Sequence, residues 1–167
     1  MNLVIKKASL DDLKTISMLA HEIWPIAFKG IIPDDKIQVM LDEIYNLNAL
    51  KKEVQEQGHI FWLAKNSNED IAYASAYLKD ETCWLKKIYI KSEMQGQGCG
   101  KALIKEVLAN FPEAKKLALY VNKDNIAAQS FYNKQGFIIQ REEAVTMGGL
   151  PFIDLVMIKE ISLVKHQ

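Results

Sequence analysis

Apolar residues at Leu13, Ile16, Ala20 and Ile23 keep the three-and-four spacing of one helical face, behind a cap-like Ser9-Leu10-Asp11-Asp12. A short strand, Leu3 to Lys6, precedes them, and Pro25 is predicted to end or kink the helix because it has no N–H to donate. A second helix opens after Pro33-Asp34 with Ile37, Met40, Leu41 and Ile44 on one face, and continues brokenly through Leu50 and Val54 to Gly58. The period then changes. Ile60 to Lys65, Ile71 to Leu78 and Thr82 to Ile90 are dense in β-branched and aromatic residues and are separated by polar turns, which predicts an antiparallel meander. Helical spacing returns at Leu103, Ile104, Val107, Leu108 and Phe111, and Pro112 stops it. Leu117 to Val121 reads as a buried strand and Asp124 to Gln135 as a helix closed by Gly136. Two strands follow, Phe137 to Thr146 and Phe152 to Glu160, joined at Gly148-Gly149-Leu150-Pro151. This order of elements implies an α/β layered domain with a mixed sheet.

Length and charge narrow the classes. At 167 residues the chain is expected to be a single domain, 1–167, and with 49% hydrophobic and 25% charged residues it should bury a core without metal or disulfide staples. Lysine and arginine total 21, as do aspartate and glutamate, so no global field draws the protein to nucleic acid or to an anionic membrane. The start, Met1 to Lys7, lacks the pattern of a signal peptide, and no apolar run is long enough to span a bilayer. Cys83 and Cys99 form no CxxC pair and have no histidine at metal spacing, so we expect no metal, no disulfide and a cytoplasmic location.

One loop carries chemistry. Gln95-Gly96-Gln97-Gly98-Cys99-Gly100-Lys101 lies between a strand and an amphipathic helix, so backbone N–H groups and a helix N-terminus converge as in an anion site. Glycine permits a pyrophosphate to approach the backbone and permits positive φ. A cation at Lys101, in the first helical turn, opposes the helix dipole by roughly 0.3–1 kcal/mol unless an anion offsets it. A dinucleotide fingerprint would need glycine or alanine where Lys101 stands, and a P-loop would need glycine at Gln95 and a hydroxyl at Ala102, so both are rejected on spacing. By itself the loop also suits a plain strand-to-helix reversal.

Downstream stand Asn122, Asn125, Ala128, Phe131-Tyr132 and Gly136-Phe137, with Ala128, Phe131, Tyr132 and Gln135 sharing one helical side, a spacing that core packing alone explains. Taken together, the Gln95 to Gly100 loop and the Asn125-x-x-Ala128-x-x-Phe131-Tyr132-x-x-x-Gly136-Phe137 run resemble the GCN5-related N-acetyltransferase (GNAT) superfamily. The motifs cover Lys91 to Phe137, and the element order extends the likeness over nearly the whole chain. The resemblance implies a GNAT fold: a mixed, mostly antiparallel central sheet flanked by helices, with a strand-loop-helix pyrophosphate site.

It further implies an acetyl-CoA-dependent N-acetyltransferase acting on a primary amine, as a monomer or homodimer. The amides from Gln97 to Ala102 would hold the pyrophosphate of coenzyme A, within a cofactor loop of Gln95, Gly96, Gln97, Gly98, Cys99, Gly100, Lys101 and Ala102. The strand end at Ile88, Tyr89 and Ile90 would pair with the pantetheine arm, and Asn125 would touch the cofactor. A backbone N–H near Tyr89 or Ile90 would stabilise the thioester oxygen as it becomes anionic, and Tyr132, near the sulfur, would assist the leaving thiolate. Glu22, Glu43, Tyr45, Glu81 and His59, or water, remain open as the base. Cys83 and Cys99 are read as structural, and Phe131 as core. Trp24, Phe28, Tyr45 and Trp62 offer acceptor walls or core. The stretch Glu22 to Pro25 through Asp42 to Tyr45 is similar to the bacterial PaiA-like polyamine acetyltransferases, which implies a small amine such as a polyamine. The competing function is a noncatalytic acyl-CoA-binding sensor or recruiting module.

Overall fold

Seven strands make one sheet in the order β1-β2-β3-β4-β5-β7-β6 in the computed structural model, which describes residues 1–161. They are β1 (Leu3–Lys7), β2 (Ile60–Asn66), β3 (Glu69–Lys79), β4 (Thr82–Ile90), β5 (Lys116–Asn122), β6 (Ile138–Met147) and β7 (Leu150–Glu160). Every neighbouring pair is antiparallel except β4 with β5. The helices α1 (Leu13–Ala27), α2 (Asp34–Ile44) and α3 (Leu47–Gln55) cover one face, and α4 (Cys99–Ala109) and α5 (Ile126–Lys134) the other.

Strand alternation sorts the core into these two layers. Phe61, Leu63 and Tyr73 point to the α1–α3 side, while Trp62, Ala64, Ala72 and Ala74 point to the α4 side. The run of alanines on β3 lets α4 pack close.

Local chemistry explains where the elements differ from the sequence expectation. Pro25 neither ends nor visibly interrupts α1 where expected: it lies in the last turn, and the helix runs to Ala27. The broken second helix is two helices. Asn46 closes α2 by donating its Nδ2 to Asp42 O at 2.8 Å and opens α3 by accepting from Ala49 N–H at 2.8 Å. Gly148 and Gly149, both at positive φ, make a two-residue turn with Met147 paired to Leu150, so β7 starts earlier than predicted.

The feature that positions the site is where the sheet comes apart. β4 and β5 share only the pairs Thr82 with Lys116, Cys83 with Leu117 and Trp84 with Ala118, after which they diverge. The cause lies on the other side of β4. Ser75 pairs with Lys87 but Ala76 with Leu85, so Lys86 is the extra residue of a bulge, which bends and twists the strand just past its last shared pair with β5.

Candidate active site

The divergence of β4 and β5 leaves a cleft of about 1270 Å³ between Leu85–Ile90 on one side and Tyr120–Asn122 on the other. Its lining comes from both sheet faces: Glu22 and Trp24 of α1 with Phe28 just after it at one mouth, and the glycine loop with Ala128, Phe131 and Tyr132 of α5 at the other.

Register decides which backbone groups face the gap. Lys91 N–H donates to Ile71 O at 2.9 Å, so Tyr89, two residues earlier, also turns its N–H toward β3. Ile88 and Ile90 alternate with it and direct theirs into the cleft. Of the two strand positions named from the sequence, Ile90 thus turns its N–H into the cleft, whereas Tyr89 turns its N–H to β3 and packs its ring near Trp24, Phe28 and Tyr73 at centroid distances of 5.6, 6.0 and 5.6 Å.

The loop has the form of an anion cradle. Gly96 and Gly98 sit at φ 79° and 88°, a region costly for other residues. Among the described residues, the amides of Gly96 through Lys101 donate to no acceptor, and the first helical bond runs from Ala102 N–H to Gly98 O at 3.0 Å. Ala102 differs from the rest of the expected loop: its amide is engaged by Gly98 O and it does not line the cleft. The side chains of Gln95 and Gln97 turn back, donating to Ile90 O at 3.4 Å and Glu93 O at 3.3 Å, and so brace the loop; Gln97 is also absent from the cleft wall. Gly100 serves packing: a Cβ there would lie 2.7 Å from Phe131 Cζ. The two sequence motifs meet at this contact. Cys99 opens α4, and burial pushes its thiol up to about 11; burial, then Glu113, pushes Cys83 up to about 12. Neither is a thiolate near neutral pH.

Asn125 caps α5, accepting from Ala128 N–H at 3.2 Å, and lines the cleft. Tyr132 sits one helical turn before a glycine stop: Gly136 at φ 96° lets its N–H donate to Asn133 O and Phe137 N–H to Tyr132 O, both at 3.0 Å. Burial, then the neighbouring Tyr89, raises the Tyr132 phenol above its ordinary value, so it stays a protonated donor.

The structure separates the base candidates. Tyr45 is wholly buried and accepts from the Tyr73 hydroxyl at 2.7 Å. His59 is buried against Tyr77, away from the cleft lining, and burial lowers its pKa. Glu81 lies outside the cleft, 3.2 Å from Lys115. Glu22 and Glu43 do line it, Glu22 in an ion pair with Lys91 at 3.0 Å. Of the aromatic walls, Trp24, Phe28 and Tyr45 face the cleft, whereas Trp62 belongs to the α4 layer.

Sequence reasoning passed over Lys87 and Asp154. Lys87 is almost fully buried, 2.7 Å from Glu53 Oε1 and above the rings of Tyr45 and Phe61. Asp154 lines the cleft from β7. Its signal was available: a lone acid inside Phe152-Ile153-Asp154-Leu155-Val156-Met157-Ile158 interrupts an apolar strand, and an acid so placed needs a reason.

Comparison with known proteins agrees with this architecture. A spermidine N(1)-acetyltransferase of Thermoplasma acidophilum is 27% identical over 155 residues, covering 84% of this chain and 91% of that one. An uncharacterized N-acetyltransferase of Mycobacterium tuberculosis is 24% identical over 155 residues, covering 91% of this chain and 99% of its own. Among solved structures, the PaiA N-acetyltransferase from Thermoplasma acidophilum in complex with coenzyme A superposes with a TM-score of 0.82 at 26% identity, covering 96% of this chain and 100% of that one. The ribosomal-protein-S18-alanine N-acetyltransferase of Escherichia coli shares the fold at a TM-score of 0.72 and 17% identity, over 98% of this chain and 96% of that one. Residues 30–159, which hold the parted strands, the cradle and Tyr132, match the acetyltransferase (GNAT) domain, and the chain belongs to that family of acetyltransferases.

Proposed function

We propose that the protein transfers the acetyl group of acetyl-CoA to a primary amine of a small polyamine. The observation that carries this reading is the cleft between β4 and β5, open at one mouth to a row of unengaged amides and at the other to carboxylates and aromatic rings. The amides of Gly96 to Lys101 suit the pyrophosphate, with the helix dipole and Lys101 adding to the attraction. The free N–H of Ile88 and Ile90 suits the pantetheine amides and the thioester oxygen, and Asn125 keeps its Nδ2 for the cofactor while its Oδ1 caps α5. Tyr132 hydrogen-bonds the departing sulfur. Bound acetyl-CoA supplies the activated acyl group, and these residues orient it and stabilise charge as it moves.

A polyamine suits the acceptor mouth because Glu22, Glu43 and Asp154 face it beside Trp24 and Phe28, and spaced ammonium groups are stabilised by carboxylates and ring faces. The spermidine-acetylating relative supports the same class. Two buried free thiols suit a reducing compartment, and no helix among the described residues is long and apolar enough to cross a membrane. The deciding experiment sets spermidine, an aminoglycoside and a peptide N-terminus in competition for acetyl-CoA. Spermidine should be used best; equal or poorer use overturns the polyamine reading.

A further inference from the structure

We propose that Asp154 takes the proton from the acceptor ammonium, making it the acceptor-side base of the reaction. The inference rests on the acetyltransferase reading of the cleft and names a residue that reading leaves open.

Asp154 stands opposite Asn122 of β5 and Glu143 of β6, on the same side of β7 as Phe152, which packs with the α1–α3 layer. That side is the acceptor mouth. Of the carboxylates lining the cleft, Glu22 is paired with Lys91, Glu53 is paired with Lys87, and Glu43 and Glu93 are exposed to water. Among these cleft carboxylates Asp154 alone is partly shielded and has no side-chain hydrogen bond or ion pair. A partly shielded carboxylate with no protein partner is free to pair with a substrate ammonium that enters the cleft.

Its surroundings tune it as a base. On β6, Glu143 is held by Arg141 at 2.6 Å and by the Tyr120 hydroxyl at 3.2 Å, so it is not available to pair with an amine itself. From β4, Lys86 and Tyr89 face Asp154. Burial, then Glu143, raises the carboxyl above the usual aspartate value, with Lys86 opposing. Tyr89 links the two sides of the cleft: after burial, Asp154 is what raises its phenol, and Tyr89 in turn raises Tyr132.

An N–H proton of the alkylammonium passes to Asp154, and the freed lone pair attacks the thioester carbonyl carbon. The C–N bond forms, the C–S bond breaks, and the nitrogen's second proton reaches the thiolate through water or Tyr132, giving the amide and the free thiol. Asp154 then returns its proton to water, so each turnover releases one proton.

Asp154→Asn and Asp154→Ser remove the base, and Asp154→Glu restores a carboxylate. The experiment measures kcat and KM for spermidine against pH, with coenzyme A Kd by calorimetry and Tm on each variant. At neutral pH the Asn and Ser variants should lose about 10²–10³-fold in kcat/KM, with kcat included in the loss. The deficit should shrink as pH nears the amine's own pKa and more of it arrives neutral. In both variants the acid limb set by the carboxyl should give way to one that climbs toward the amine's own pKa, and the parental limb should return in the Glu variant, while coenzyme A affinity stays within twofold. A deficit independent of pH, a change confined to KM, or parental rates in both variants would overturn the assignment. Failure of the parent to acetylate any amine would overturn the underlying function as well, which is a distinguishable result.

Discussion

Phe137 and Tyr132 hold each other twice. Phe137 N–H donates to Tyr132 O at 3.0 Å, and their rings meet edge-on with centroids 5.6 Å apart. The glycine stop of α5 therefore fixes the position of the phenol that faces the cleft, and Phe131 steadies it from the other side at 5.3 Å.

That clamp makes Tyr132→Phe a clean test, since the ring and its packing survive. Its hydroxyl assists only as the C–S bond breaks, so the loss should fall on kcat, with cofactor Kd barely changed. General acid assistance is worth about 10²–10⁴-fold, but a phenol whose pKa burial raises is poorly matched to a thiol near 8.5, so we expect a loss nearer ~10-fold from hydrogen bonding. Steady-state rates, calorimetry and Tm on one variant decide it; a parental kcat removes Tyr132 from the chemistry.

The cradle is tested by ligand-induced stabilisation. Acetyl-CoA should raise the Tm of the parent by mass action, and Gly98→Glu should abolish the rise by placing a carboxylate among the amides. No Cβ neighbour lies within 4 Å of Gly98, so Gly98→Ala should cost only the strain of φ 88°, about 1–2 kcal/mol. A preserved shift in the Glu variant would move the pyrophosphate elsewhere.

Gly100 and Phe131 should behave as a coupled pair. Gly100→Ala drives a methyl to 2.7 Å from Phe131 Cζ and should cost about 1–3 kcal/mol in denaturant unfolding. Phe131→Leu costs packing of its own, yet the double variant should recover part of the alanine penalty. Simple additivity would mean that the loop yields in some other way.

Alkali should unfold the protein earlier than its charge balance suggests. Burial raises the phenols of Tyr45, Tyr73, Tyr89 and Tyr132, so above pH ~10 the unfolded chain releases protons that the folded one retains. The unfolded state then binds fewer protons, and stability falls as pH rises, by up to about 1.4 kcal/mol per pH unit for each phenol. Tyrosinate absorbance and circular dichroism should change together; early, separate ionisation of all four would refute it.

How much of this was legible before the structure follows from the range of each signal. Helix faces, strand runs and the glycine stop at Gly136 are local patterns, and they appear within a few residues of where the sequence put them. The loop's role was legible from its glycines, but their division of labour was not: that Gly100 makes room for Phe131, 31 positions away, depends on how α4 lies against α5. The bulge at Lys86 left no local mark, because it is a mismatch between two strands and not a property of one. Asp154 shows the same limit from another side. Its oddness within an apolar strand was visible, but its company of Glu143, Asn122 and Tyr89 is drawn from three other strands.

A sheet that opens through its full thickness also constrains the order of events. Reactants that enter from opposite faces need not take turns in one pocket, and with both thiols buried and protonated there is no cysteine on which an acyl group would pause. Transfer would then pass directly between two ligands present at once, and double-reciprocal plots for donor and acceptor would intersect instead of running parallel.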